Sequence, residues 1–287
     1  MTRRIASTVL VAPHIRVFHW IFIGFAAWLL AIAPQLEATQ AQSASTAPAA
    51  AGAKIWIGQT AQIEQGLKTA EIARIEDIGT GVTRPRRAYL KSDGLFESFT
   101  WKPLKPGVRR GYFESYKSEI AAYELDKLLD LNMVPPVVER EMDGELGAAV
   151  MWVSPTTSVK QMGGRLSAGR VPGHEVRRMV LFDNLIGNPD RNAGNILVDG
   201  ARNIILIDHS RAFVSKKNLQ TKVERVDEKL WAAIQALTPE ALRETLGPLV
   251  GEDAVNAMLE RRTRIQAEVD KLLAKQSRAL VIIAENQ

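Results

Sequence analysis

Apolar positions follow three regimes along this chain, and each calls for a different structure. From Val17 to Ala33 they run almost without a break, only His19 interrupting them. Next comes PQLEATQAQSASTAPAAAGA, too small and polar to bury anything, so residues 34–55 are expected to be a flexible tether. From Ile72 onward apolar and polar residues mix in short periodic runs, the mark of folded structure.

The first such stretch, IEDIGTGVTRPRRAYLKSDGLFESFTWKPL, reads as three strands. The first closes at Gly79, the second covers Arg86 to Lys91 and the third Leu95 to Lys102, with Gly-Thr-Gly and Ser-Asp-Gly turns between them. Ile120, Ala121, Leu125, Leu128 and Leu129 recur at helical spacing and predict a helix over Ser115–Leu131. Val134-Pro135-Pro136-Val137 begins another extended stretch, Glu145 to Val153 reads as a strand, and Gly163 to Pro172 as a loop. A second helix is predicted over His174–Ile186, with Met179, Phe182 and Ile186 on its apolar face. After the polar loop GNPDRNAGN come two short strands, Ile196–Val198 and Asn203–Ile207, joined at Asp199-Gly200. Helices are expected over Val226–Ala236, Pro239–Thr245 and Asp253–Lys275. Strands mostly first and helices mostly last imply an α+β fold in two lobes.

The N-terminal run carries Arg3, Arg4 and Arg16 before it, and no Lys or Arg follows until Lys54. That asymmetry orients the N-terminus inside and the rest outside. The run reads either as a signal peptide cleaved near Ala33 or beyond, or as a retained membrane anchor at the short end of spanning length. Small residues after it favour the first reading, and residues 17–33 give membrane association under the second. Either way residues 56–287 are expected outside the cytoplasm, periplasmic or extracellular. A translation start further downstream would instead leave them in the cytoplasm.

Charge and cysteine content narrow the chemistry. The formal net charge of +5 suits phosphate-bearing ligands but is too small and dispersed to imply a nucleic-acid partner. With no cysteine, disulfides, thiolate zinc sites and Cys nucleophiles are excluded.

Asp190, Asn195 and Asp208 stand at a loop, a strand entrance and a strand exit, and the hairpin between the last two folds them to one end. Hard oxygen ligands suit magnesium, which takes few protein carboxylates and leaves room for phosphate oxygens. Two ligands and a nearby free carboxylate are what phosphoryl transfer requires. Any one of the three alone would more simply cap a helix or make a turn; their combination at this spacing favours a site.

NPDRNAGNIL…NIILIDHSRAF resembles the catalytic loop and metal-binding segment of the protein-kinase-like superfamily, in its atypical branch: phosphatidylinositol 3- and 4-kinases, HipA-type kinases and secretory-pathway kinases. The resemblance implies a two-lobed fold, with a small antiparallel β lobe carrying one helix (about 72–153) and a mostly helical C-lobe (about 154–287). It implies ATP as nucleotide, with magnesium or manganese. Asp190 matches the catalytic Asp, and Asn195 and Asp208 match the metal ligands. Gly79 and Gly81 match the phosphate-covering turn, Lys102 the lysine on the phosphates, and Glu119 its ion-pair partner, Lys105 and Glu114 being the rivals for those two places. The stretch Ala148–Val153 matches the strand along which adenine lies. The chain departs from the pattern where His209 and Ser210 replace Phe and Gly after Asp208. The expected function is a phosphotransferase acting on a hydroxyl acceptor, whether protein, lipid or small molecule. The alternatives are an inactive nucleotide-binding module and a nucleotidyl transferase. Arg191 is expected to brace its loop through Asp183, His209 to make a structural hydrogen bond, and Arg261, Arg262 and Arg264 to form a solvated helix face that contacts the loop lobe or a membrane.

Overall fold

The computed structural model describes residues 53–79, 85–91, 94–167 and 169–284. The expected signal segment or anchor, the tether up to residue 52, Gly81 and most of the Ser92-Asp93-Gly94 turn lie outside the described residues. In chain order the elements are α1 (Thr60–Thr69), β1 (Ile72–Asp77), β2 (Arg86–Leu90), β3 (Ser98–Lys102), β4 (Gly107–Arg109), β5 (Tyr112–Glu114), α2 (Tyr116–Leu128), β6 (Val137–Met142) and β7 (Glu145–Met151). There follow β8 (Thr156–Ser158), α3 (Gly173–Ile186), β9 (Ile196–Asp199), β10 (Ile204–Leu206), β11 (Val226–Asp227), α4 (Glu228–Ala236), α5 (Pro239–Val250), α6 (Glu252–Leu273), α7 (Arg278–Val281) and β12 (Ile282–Ile283).

β1, β2 and β3 form the expected meander, and β7 then β6 extend it to a five-stranded antiparallel sheet of order β1-β2-β3-β7-β6. The period-two alternation of a strand divides its side chains between two faces. Phe99, Trp101, Ala149 and Met151 pack into one core with Trp56, Ile63 and Leu67. Thr100, Lys102 and Val150 point the other way, into a cleft. Gly147 is required where β7 crosses β3, because a Cβ there would lie 2.7 Å from the carbonyl oxygen of Lys102.

Helix α1 has no counterpart in the periodicity analysis. Its sequence, TAQIEQGLKT, offers two buried residues, Ile63 and Leu67, and is otherwise polar. It is held by tertiary packing on β6 and β7 and by Arg140, which donates to the carbonyls of Leu67 (2.8 Å) and Ala70 (2.7 Å) at its C-terminal end. Residues 53–55, expected at the end of the tether, are partly packed. Ala53 is buried and its N–H donates to Asp199 Oδ2 (3.0 Å), while Lys54 pairs with Glu175 (3.7 Å).

Helix α2 begins where Ser115 accepts from the Lys117 N–H (3.0 Å), and Glu119 in its first turn suits the positive end of the helix. Its predicted apolar face is buried except for Leu128. The chain leaves α2 through Asp130 and Asn132 at positive φ, with the Asp126 carboxylate accepting from the N–H groups of Asn132, Met133 and Val134.

The second core joins α2 to the helices that follow and to the small sheet β10-β9-β8. α5 runs past its predicted end to Val250, and α7 and the parallel pair β11–β12 complete the C-terminal part. Arg261 corrects an expectation. It is fully buried, not part of a solvated face, and donates to the carbonyls of Leu185 (3.0 Å), Val214 (2.8 Å) and Lys216 (2.6 Å). Its stem crosses the α6–α3 interface, and burial pulls its guanidinium down to about 10. Among the described residues no helix is long and apolar enough to cross a membrane.

Candidate active site

The polar loop after α3 is built by its own side chains. Gly187 ends α3 in the left-handed region, at φ 60°. Asn188 donates to Asp183 Oδ1 (3.1 Å) and accepts from the Asp190 N–H (3.1 Å), fixing the turn that carries Asp190. Arg191 is its internal brace. Nε and Nη2 donate to the two Asp183 oxygens (2.9 and 3.0 Å), and Nη1 donates to the carbonyls of Asn195 and Ile207 (both 2.8 Å). One planar guanidinium thus joins α3, the loop and the end of the hairpin, which an ammonium does not match. Asn195 donates from Nδ2 to the Asp190 carbonyl (3.2 Å), and this bond leaves its Oδ1 available.

The hairpin β9–β10 brings Asp208 to the same end. The Ile207 N–H donates to the Asn195 carbonyl (3.2 Å), so the residue before Asp208 is tied to Asn195. Asp208 adopts φ 61°, a conformation that costs a non-glycine residue about 1–3 kcal/mol. Its Oδ1 accepts from Lys102 Nζ (3.1 Å) and from Ser210 Oγ (3.3 Å).

Lys102 also donates to Glu119 Oε1 (2.6 Å), and Glu119 Oε2 accepts from the His209 N–H (2.9 Å). Burial alone would lower the Lys102 ammonium, but Asp208 and Glu119 outweigh it and hold it above its ordinary value. Burial pushes Glu119 up, but Lys102 and His209 prevail and keep it well below the usual carboxylate range. His209 is buried, with Nε2 facing Arg191 Nη2 (2.9 Å). Arginine can only donate, so Nε2 accepts and the neutral ring carries its proton on Nδ1, on the side of Glu119 (3.7 Å). Burial, reinforced by Arg191, lowers the imidazole against the pull of Glu119.

The rivals occupy other places. Lys105 is exposed and pairs with Glu145 (3.5 Å). Glu114 is buried and holds Arg211, whose Nε lies 2.7 Å and Nη2 2.6 Å from Glu114 Oε1. Arg211 Nη1 reaches Asp190 Oδ2 at 3.2 Å. Sequence reasoning did not single out Arg211. A charge two residues before the buried Phe213 was the available signal, and its partner stands 97 residues earlier.

These groups surround one cleft of about 660 Å³. Lys102 and Val150 line the sheet side, Asn195 and Asp208 the opposite side, and Asp190 and Arg211 also border it. Gly79, at φ 69°, follows Ile78, which lines the cleft. Among the described residues no cluster of three His, Asp or Glu side chains cages a cation. Asn195 and Asp208 supply two oxygens, a set that fits a divalent ion completed by phosphate and water.

No protein-family model matches the chain, and no curated protein matches it. Solved structures do. A hydra Fam20 protein determined with a sugar superposes at TM-score 0.65 with 16% identity, over 80% of this chain and 93% of that one. The Golgi casein kinase superposes at 0.61 with 14% identity, over 78% of each chain. A second structure of it, with manganese and ADP, gives 0.60 with 14% identity over 79% of each. The chain therefore has a two-lobed kinase-like fold. Its likeness to phosphatidylinositol and HipA-type kinases rests on the sequence motif alone.

Proposed function

We propose that this chain is an ATP- and divalent-metal-dependent phosphotransferase of the atypical kinase type, acting on a hydroxyl acceptor outside the cytoplasm. One observation carries the reading: the Lys102 ammonium lies between Glu119 (2.6 Å) and Asp208 (3.1 Å), in a cleft that Asp190 and Asn195 also line. The manganese and ADP of the Golgi casein kinase structure support the nucleotide and metal, and the basic-then-apolar N-terminus supports export.

On this reading Lys102 binds the α- and β-phosphates, with Glu119 holding its ammonium in place. Asn195 Oδ1 and Asp208 hold the metal, which when bound neutralises phosphate charge. Asp190 orients the acceptor hydroxyl and takes its proton as that oxygen bonds the γ-phosphorus and the bond to the β-phosphate oxygen breaks, releasing ADP. Positioning and charge complementarity supply most of the rate.

A second reading, an inactive nucleotide-binding module, draws on Asp208, whose Oδ1 is already engaged by Lys102 and Ser210. One experiment separates the two. The full chain is incubated with γ-labelled ATP, manganese or magnesium and a panel of hydroxyl acceptors, beside D190N and D208A. Label transferred by the wild type and lost in both variants supports the phosphotransferase. Metal-dependent ATP binding without transfer, unchanged in D190N, supports the module.

A further inference from the structure

We infer that Arg211 is a positioning residue that couples Asp190 to the start of α2, an inference that rests on the phosphotransferase reading. Its guanidinium serves two carboxylates at once, with Nε and Nη2 on Glu114 Oε1 (2.7 and 2.6 Å) and Nη1 on Asp190 Oδ2 (3.2 Å). Glu114 is 1% exposed, and among the described residues its other oxygen, Oε2, is buried without a partner. The Glu114 charge is therefore answered by Arg211, and losing the arginine would leave it buried and unpaired.

The backbone closes the same connection. Ser115, next to Glu114, donates its N–H to the carbonyl of Ser210, next to Arg211, at 2.9 Å. Ser115 is also the N-cap of α2, and Glu119 lies in the first turn of that helix. The junction of β5 and α2 thus carries two carboxylates with separate tasks. Glu119 holds the nucleotide lysine, and Glu114, through Arg211, holds the base.

Asp190 needs such a restraint. Its side chain is 39% exposed, and among the described residues Arg211 is the hydrogen-bond donor to its carboxylate. The bond occupies Oδ2 and leaves Oδ1 for the acceptor hydroxyl. The Arg211 guanidinium also lies 4.7 Å from the Tyr112 ring, which limits its own freedom. When α2 is seated, base and nucleotide lysine are seated together.

The test measures steady-state ADP release by the full chain with ATP, manganese and the same panel of hydroxyl acceptors. R211M is expected to lower kcat by about 10²-fold, the effect of a misplaced catalytic group, with the ATP KM within roughly two-fold. Added methylguanidinium restores part of that rate. R211K restores little, because an ammonium has no fork. R211M leaves Glu114 buried without its partner, so E114Q/R211M, which removes both groups of the pair, is the matched variant, expected to fold with the same low kcat. A kcat for that double variant within about three-fold of wild type overturns the proposal, as does a parallel rise in ATP KM.

A wild type that releases no ADP overturns the phosphotransferase reading instead. The clamp itself is then read from melting temperatures. D190N and R211M shifts that fail to add by about 2 °C support it, and additive shifts overturn it.

Discussion

Lys102 and Glu119, 17 residues apart in sequence, form a buried ion pair of 2.6 Å across the gap between β3 and α2. The carboxylate is 1% exposed and shares its second oxygen with the His209 backbone. Lys102→Met leaves Glu119 without its cation. It is expected to cost about 3–5 kcal/mol of stability and, on the proposed phosphotransferase reading, nucleotide binding as well. The double variant K102M/E119Q is expected to recover most of the stability and none of the binding. Urea unfolding beside ATP binding checks both. Equal stability of the single and double variants would mean that the pair is not buried as described.

Asp126 gives the fold a pH dependence of its own. Burial pushes its carboxyl up to about 6 from an ordinary 3.8, against the opposing pull of three backbone N–H groups and Lys54. The folded state therefore holds a proton that the unfolded chain releases between those values. The stability this contributes is full below pH 3.8 and lost as pH rises through 6, a change of about 3 kcal/mol. Asn at this position does not titrate. The stability of wild type minus that of D126N is expected to fall by most of this amount between about pH 4 and about pH 7. A flat difference would mean that the three N–H groups and Lys54 offset the burial of the carboxyl.

Gly187 is tied to Arg261 in both conformation and space. Its φ is 60°, and a Cβ there would lie 2.7 Å from the Arg261 guanidinium carbon. Gly187→Ala must adopt a left-handed backbone and displace a buried arginine that holds three carbonyls. A loss of about 2–4 kcal/mol is expected, and since Asn188 and Asp190 follow closely, the proposed transfer activity is expected to fall with it. Unfolding and label transfer on the same preparation measure the two effects.

Much of this arrangement is legible in the residues. The strands β2 and β3, the helices α2 and α3 and the hairpin β9–β10 announce themselves because periodicity and turn residues agree there. The loop around Asp190 stands out because a run of Gly, Asn, Pro and Asp between apolar segments suits neither helix nor strand. Helix α1 stays hidden, since Ile63 and Leu67 alone do not make a periodic signal and its stability comes from the sheet. Arg261 reads as a surface charge because its neighbours Arg262 and Arg264 are charged, whereas its partners are backbone carbonyls that no sequence pattern advertises. Arg211 is missed for a related reason: its role exists only once β5 is folded against the segment after Asp208.

Helix α1 offers the last expectation. It lies behind α2, where Glu64 accepts from Tyr123 (2.8 Å) and Lys127 (2.9 Å), and its C-terminal carbonyls are held by Arg140. Leu67→Ala opens a cavity in a fully buried place and is expected to cost about 2–5 kcal/mol. Arg140→Met removes two hydrogen bonds to carbonyls and is expected to cost about 1–3 kcal/mol. Both act on one short element, so their costs are expected to be less than additive. Hydrogen exchange distinguishes local from global loosening. If α1 braces α2, each variant speeds exchange at α1 and in α2 around Tyr123 and Lys127, while α6 stays protected. Exchange that rises equally in α1 and α6 would mean that α1 contributes only to overall stability, leaving α2 to be held from the cleft side by Lys102 and His209.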